Sequence, residues 1–250
     1  MPITPCFDPT SGASGGAAPG AAGAAFSNVS LQTIDPTSWS TTDPDGLLKS
    51  VAHASGSTTF TFNASSGSAN YLLTSSTQNF PRRYTDLQAD NGDGTFTTLT
   101  TDDHLLLYFR ISGYTTDFAS RLFVAVAVDP TSATATTQRG YGVFFYQPAS
   151  TPGDGLWDVS STLQGLNSST DTVHGILNYS PARSVALTDF SLNSSDTLLN
   201  TRQRALSDTL TASTDLKLMV GVATNASGTT ITDNDTVVGK LEYQAFKLNI

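Results

Sequence analysis

Glutamate is almost missing from this chain: among 21 acidic residues Glu242 alone is a glutamate, and lysine occurs only at positions 49, 217, 240 and 247. Glutamate and lysine keep most of their rotamers in a helix, so their scarcity removes the usual exposed face of helices. Charged residues make up 13% of the sequence, about half the ordinary share. One cysteine, Cys6, excludes an internal disulfide framework. The three histidines, His53, His104 and His174, have no paired spacing, so no zinc motif is written locally. No metal or cofactor is expected. The Gly-x-Ser-x-Gly spelling at Gly12 to Gly16 falls inside the Gly/Ala/Ser-rich stretch and frames no nucleophile elbow, and no apolar run approaches the length of a membrane span. The net charge of -9 with eight scattered arginines argues against nucleic acid, because tracking phosphates needs clustered cations. Arg82-Arg83 and the pair Arg202 and Arg204 come nearest to a basic patch and read as local ion-pair or interface residues.

What is abundant points one way. Ser and Thr supply about a quarter of the 250 residues, and Thr, Val, Phe and Tyr suit a pleated, half-buried surface. Leu105 to Ile111, Leu122 to Val128 and Tyr141 to Tyr146 are apolar on nearly both faces when read at period two, as central strands are, and Leu216 to Val222 is a fourth strand. Weaker strands are expected at 58–62, 69–74, 95–100, 173–179 and 185–192. In the last strand, from Val237 to Ile250, the apolar phase changes between Tyr243 and Phe246. That predicts a β-bulge near Ala245 or Phe246. Short strands, turn signals and no helical period together predict an all-β fold: an antiparallel β-sandwich of jelly-roll or concanavalin-like type.

Residues 10–25 are almost entirely Gly, Ala, Ser and Pro, a composition typical of linkers and arms. The expected organisation is an extended N-terminal arm and lead-in segment over 1–45 and the sandwich over 46–250. Ile3, Phe7, Phe26, Val29, Leu31, Ile34 and Trp39 are the large side chains able to anchor such an arm in a neighbouring copy.

Chemistry is sparse. A glycosidase on a sandwich needs two facing carboxylates, whereas Glu242 shares its strand face with Lys240 and Gln244 and reads as a solvated edge. Asp102-Asp103 are consecutive, so on a strand they point to opposite faces. Asp90-Asn91-Gly92-Asp93-Gly94 resembles part of a calcium loop, but Ala89 and Thr100 stand where the first and twelfth ligands belong, and a tight turn accounts for it better. Asp233-Asn234-Asp235 reads the same way. Trp157, in the loop Gly153 to Asp158, is the candidate for stacking on a sugar ring. No enzymatic activity is expected.

The chain combines a Gly/Ala/Ser arm, a Thr-rich β body, no export signal at Met1 to Pro5 and segments such as Thr101-Asp102-Asp103-His104-Leu105 and Ile231 to Val237. In this it resembles structural proteins of tailed-bacteriophage virions. The resemblance implies a head decoration, tail or fibre component, made in the host cytoplasm and released by lysis. Its partners would be other copies of itself, other virion proteins and a host surface glycan, with no nucleic acid and no membrane. A carbohydrate-binding receptor-recognition module and a secreted glycan hydrolase are the alternatives.

Overall fold

Alternation of apolar and small polar residues puts one face of each strand on a shared interior, and the chain closes that interior with two antiparallel sheets. The computed structural model describes residues 31–65, 80–118, 120–127, 130–131, 140–142, 172–179, 186–192, 198–205, 213–224 and 229–248. In chain order the strands are β1 Gln32–Thr33, β2 Ser40–Thr42, β3 Leu48–Ala54, β4 Ser57–Phe62, β5 Arg82–Asp86, β6 Gln88–Asp90, β7 Phe96–Thr98 and β8 His104–Thr116. They continue as β9 Ser120–Ala127, β10 Gly140–Gly142, β11 Thr172–Tyr179, β12 Ala186–Leu192, β13 Leu198–Ala205, β14 Lys217–Thr224 and β15 Thr236–Leu248. An eight-stranded sheet runs β13-β12-β11-β8-β15-β4-β3, with β1 also paired to β15, and a five-stranded sheet runs β10-β9-β14-β5-β2. The β6–β7 hairpin stands apart. Among the described residues the helical structure is one 3-10 turn, Pro36–Ser38.

The expected all-β sandwich is therefore the fold. Three of the four strongly apolar runs lie inside sheets: β8 between β11 and β15, β9 between β10 and β14, and β14 between β9 and β5. The Tyr141 to Tyr146 run, expected as a central strand, differs: its described part is the end of β10, which pairs with β9 and stands at the edge of the sheet among the described strands, and 143–146 lie outside the described residues. So does the expected strand at 69–74.

The core forms where Leu105, Leu107, Phe109 and Ile111 of β8 and Val237, Leu241 and Ala245 of β15 meet Leu122, Val124 and Val126 of β9 and Leu218, Val220 and Val222 of β14. Phe80 and Phe123 pack edge to face at 5.3 Å, as do Phe62 and Phe118 at 5.2 Å, the geometry that ring quadrupoles favour.

The bulge is not where the sequence placed it. β15 pairs with β8 in unbroken register from Leu241↔Ile111 to Leu248↔His104, and the register shifts between Val238 and Lys240. The extra residue lies on β8, at Gly113, whose φ of +61° a side chain would oppose. Past it the alternation inverts, so Tyr114 turns inward and donates to the Ser120 carbonyl at 2.6 Å. The apparent slip on β15 arises because Phe246 and Leu248 occupy the outward face, which is itself partly covered.

Residues 31–45 pack against this same sandwich. β1 pairs with β15, β2 with β5, and Ile34 is buried in the core. Asp35 caps the 3-10 turn by accepting from Thr37, and Asp43 accepts from the backbone of Leu47 and Leu48. The two neighbouring arginines sit on β5 rather than in a loop, and both bind main chain. Arg82, fully buried, donates to the carbonyls of Pro130 and Phe80, and Arg83 to those of Pro36, Thr37 and Trp39.

Gly221 is closely enclosed: an added Cβ would lie 2.6 Å from Phe123 Cζ and 2.8 Å from the Pro81 carbonyl oxygen, a backbone atom. Gly221→Ala is expected to lower stability by about 1–3 kcal/mol through overpacking, read as a lower urea midpoint. An unchanged midpoint would mean that the β14–β5 contact is looser than described.

Candidate functional site

β8 and β15 are adjacent at the centre of the eight-stranded sheet. Their odd-numbered residues up to the Gly113 bulge face the core, so the even-numbered ones face outward. Direct register sets Glu242 opposite Arg110, Gln244 opposite Tyr108 and Lys240 opposite Ser112. Arg110 holds Glu242 Oε2 through Nε and Nη2, each at 2.5 Å, and Lys240 Nζ reaches Oε1 at 3.1 Å. Two cations thus flank one carboxylate, and Gln244 and Tyr108 form the adjoining row.

This corrects the reading of Glu242 as a solvated edge. The strand is central and its carboxylate side chain is only 7% exposed, whereas Arg110 and Lys240 are 34% and 40% exposed. A period-two pattern identified the face shared by Lys240, Glu242 and Gln244. It did not identify β8 as the neighbour, because pairing between residues 110 and 242 is a matter of topology. Tyr108 and Arg110 were therefore missed. The one local signal was an arginine within an otherwise apolar strand.

Tyr108 is 3% exposed. Burial pushes its phenol up from 10 to about 12, with Arg110 pulling it down and Glu242 adding to the rise. Burial also raises Tyr243, on the inward side of β15. Tyr108 is thus a neutral phenol at ordinary pH.

The other candidates disperse. Trp157, Ile3, Phe7 and Phe26 lie outside the described residues. Leu31 is half-buried, and Trp39 packs against the core of its own sandwich. Asp102 and Asp103 occupy the turn before β8, where Asp103 accepts from Thr100 and pairs with Lys247 at 2.7 Å. Burial raises the Asp103 carboxyl, but the bonds from Lys247 and Thr100 outweigh it and hold the group below its usual range. Asp90 and Asp93 accept from Gly92 and Thr95 within the β6–β7 turn, which accounts for the calcium-like spacing. Asp233 pairs with Lys49, and Asp235 accepts from Thr232. His53 is bonded to Thr58. Among the described residues no group of three or more His, Cys, Asp or Glu side chains is placed to hold a metal ion. Phe96, on the hairpin, is the exposed large apolar side chain among them.

No protein-family model matches the chain, and no curated protein matches it in sequence. Solved structures follow a similar path at low identity. The alginate lyase Aly36B has a TM-score of 0.47 at 11% identity, over 88% of this chain and 98% of that one. A legume lectin-like domain from Entamoeba histolytica has a TM-score of 0.43 at 8% identity, over 84% and 90%. The CBM2 module of the evolved Dit protein of Lactobacillus casei BL23 phage J-1 has 0.37 at 10%, over 80% of each. Resemblance at this level assigns no residue a role.

The buried phenol generates a pH prediction. Its folded pKa is raised, so the fold favours the protonated form. The stability this contributes is fully present below pH 10 and is lost as pH rises toward about 12. Of the eight tyrosines, Tyr108 should ionise among the last in a phenolate absorbance titration of the folded protein. Tyr108→Phe should delete that late step and reduce the alkaline loss of stability. A variant that titrates like the wild type would place the slow phenol elsewhere.

Proposed function

We propose that this chain is a non-enzymatic β-sandwich that recognises glycans and serves as an exposed component of a phage particle. The observation that carries the reading is the ladder at the centre of the large sheet, where Arg110 with Glu242 and Tyr108 with Gln244 stand in fixed register. Sugars are bound by planar polar groups that meet neighbouring hydroxyls two at a time. Guanidinium, carboxylate and carboxamide are the side chains of that shape. Holding them on a paired sheet lowers the ordering cost of binding.

The same bonds argue for binding over hydrolysis. Glu242 is engaged by two cations, Asp103 is held by Lys247, and Asp90 and Asp93 accept from the backbone of their own turn, so each of these carboxylates already has a partner. Placement on a virion rests on the resemblance of the sequence to phage structural proteins.

A glycan array probed with the labelled wild-type chain is expected to give specific binding. Lys240→Ala, at a side chain 40% exposed, should weaken it about tenfold while thermal melting stays within a few degrees. Incubation with a bound polysaccharide should leave its chain length unchanged. Depolymerisation abolished by Glu242→Gln would replace the binding reading with an enzymatic one. Mass spectrometry of purified particles from a culture expressing the chain tests the virion assignment: absence from the particles overturns it.

A further inference from the structure

The cations of the ladder point to the kind of glycan. Only 12 of 250 residues are Lys or Arg and the chain carries a net charge of -9, yet Arg110 and Lys240 converge on one carboxylate in the middle of a sheet. Their arrangement is layered. Glu242 lies beneath at 7% exposure, and the two cations remain a third or more open to solvent. The cluster therefore has a formal charge of +1, and an approaching molecule meets its positive groups first. Glu242 engages Nε and Nη2 of Arg110. A guanidinium carries five N–H donors in a fork that fits a planar oxyanion, and among the described residues no other acceptor is bonded to it.

We propose that this is a subsite for a carboxylate on a sugar ring, so that the ligand is an acidic, uronate-type glycan. The inference rests on the glycan-recognition reading above. Arg110 and Lys240 take the sugar carboxylate in competition with Glu242, which holds both cations in place when the subsite is free. A single cation pair in an acidic chain suits one carboxylate per sugar and does not suit a polyphosphate track.

The test uses the full-length protein with tetragalacturonate and tetraglucuronate, each compared with its methyl ester. The ester keeps the ring and its hydroxyls but removes the charge. At low salt at least one free acid is expected to bind about tenfold more tightly than its ester, with the gap narrowing as salt rises. Lys240→Gln should close most of that gap. Glu242→Gln should act in the opposite direction, tightening the acid by removing the internal competitor. Lys240→Gln leaves the Arg110–Glu242 pair intact, so it remains informative even if the Glu242 variant does not fold. Equal binding of acid and ester, or a glycan array that selects only neutral sugars, overturns the acidic assignment and leaves glycan recognition standing. No binding to any glycan on the array overturns both.

Discussion

The pairing of β8 with β15 is the constraint on which the rest depends. Both strands span 13 residues, and they join segments more than a hundred positions apart in the chain. β11 adds to one side of the pair, while β4 and β1 take successive stretches of the other. Each backbone bond contributes only about 0.5–1.5 kcal/mol net, so the ladder is stable because its inward residues are also the core. Phe109, Ile111 and Leu241 are fully buried against the second sheet. One register thus fixes both the hydrophobic interior and the polar row outside it. A slip by one residue would exchange the two faces.

Two of the three arginines whose side chains are described, Arg82 and Arg83, organise backbone. Arg82 and Arg83 donate to carbonyls at the start of β5, in the segment after β9 and around the 3-10 turn. Those carbonyls lie where no strand partner is available, and a guanidinium can satisfy several at once. Burial lowers the Arg83 pKa, but arginine starts high enough to stay charged. The two side chains tie the lead-in residues 36–39 and Pro130 to the five-stranded sheet. An arginine pair in an acidic chain therefore need not mark a ligand.

Much of the fold was legible in the sequence because burial on both faces leaves a continuous apolar run. β8, β9 and β14 have such runs, and all three are internal strands. The short strands β1, β2 and β6 were not anticipated, nor were the longer β3, β5 and β13, and the visible reason differs among the longer three. β3 is an edge strand with mostly exposed positions, and β5 opens with two arginines. β13 is also an edge and reads Leu-Leu-Asn-Thr-Arg-Gln-Arg-Ala, with no alternation to follow. The bulge was misplaced because outward apolar residues at 246 and 248 imitate a change of phase, while the real one depends on a single glycine on the partner strand. Half of the candidate site was visible as Lys240, Glu242 and Gln244. The other half required knowing which strand lies alongside.

The ladder is hard to explain as a device for stability. Burying a carboxylate and holding a guanidinium against it carries a desolvation penalty that the mutual attraction often fails to exceed, and apolar residues of similar size commonly serve a fold as well or better. This chain has such a solution within reach, since Val238, Phe246 and Leu248 occupy other outward positions of the same strand. On β4, next to β15, Ser57, Thr59 and Thr61 fill the outward positions. Against that background the only glutamate of the sequence stands at the centre of the sheet, directly opposite an arginine and within reach of one of four lysines. What the arrangement supplies that Val or Thr would not is a set of charged, planar groups held in place before any ligand arrives. Preorganised polar groups reduce the ordering cost of association, so the interaction that is weakest as a stabiliser is the one best suited to recognition.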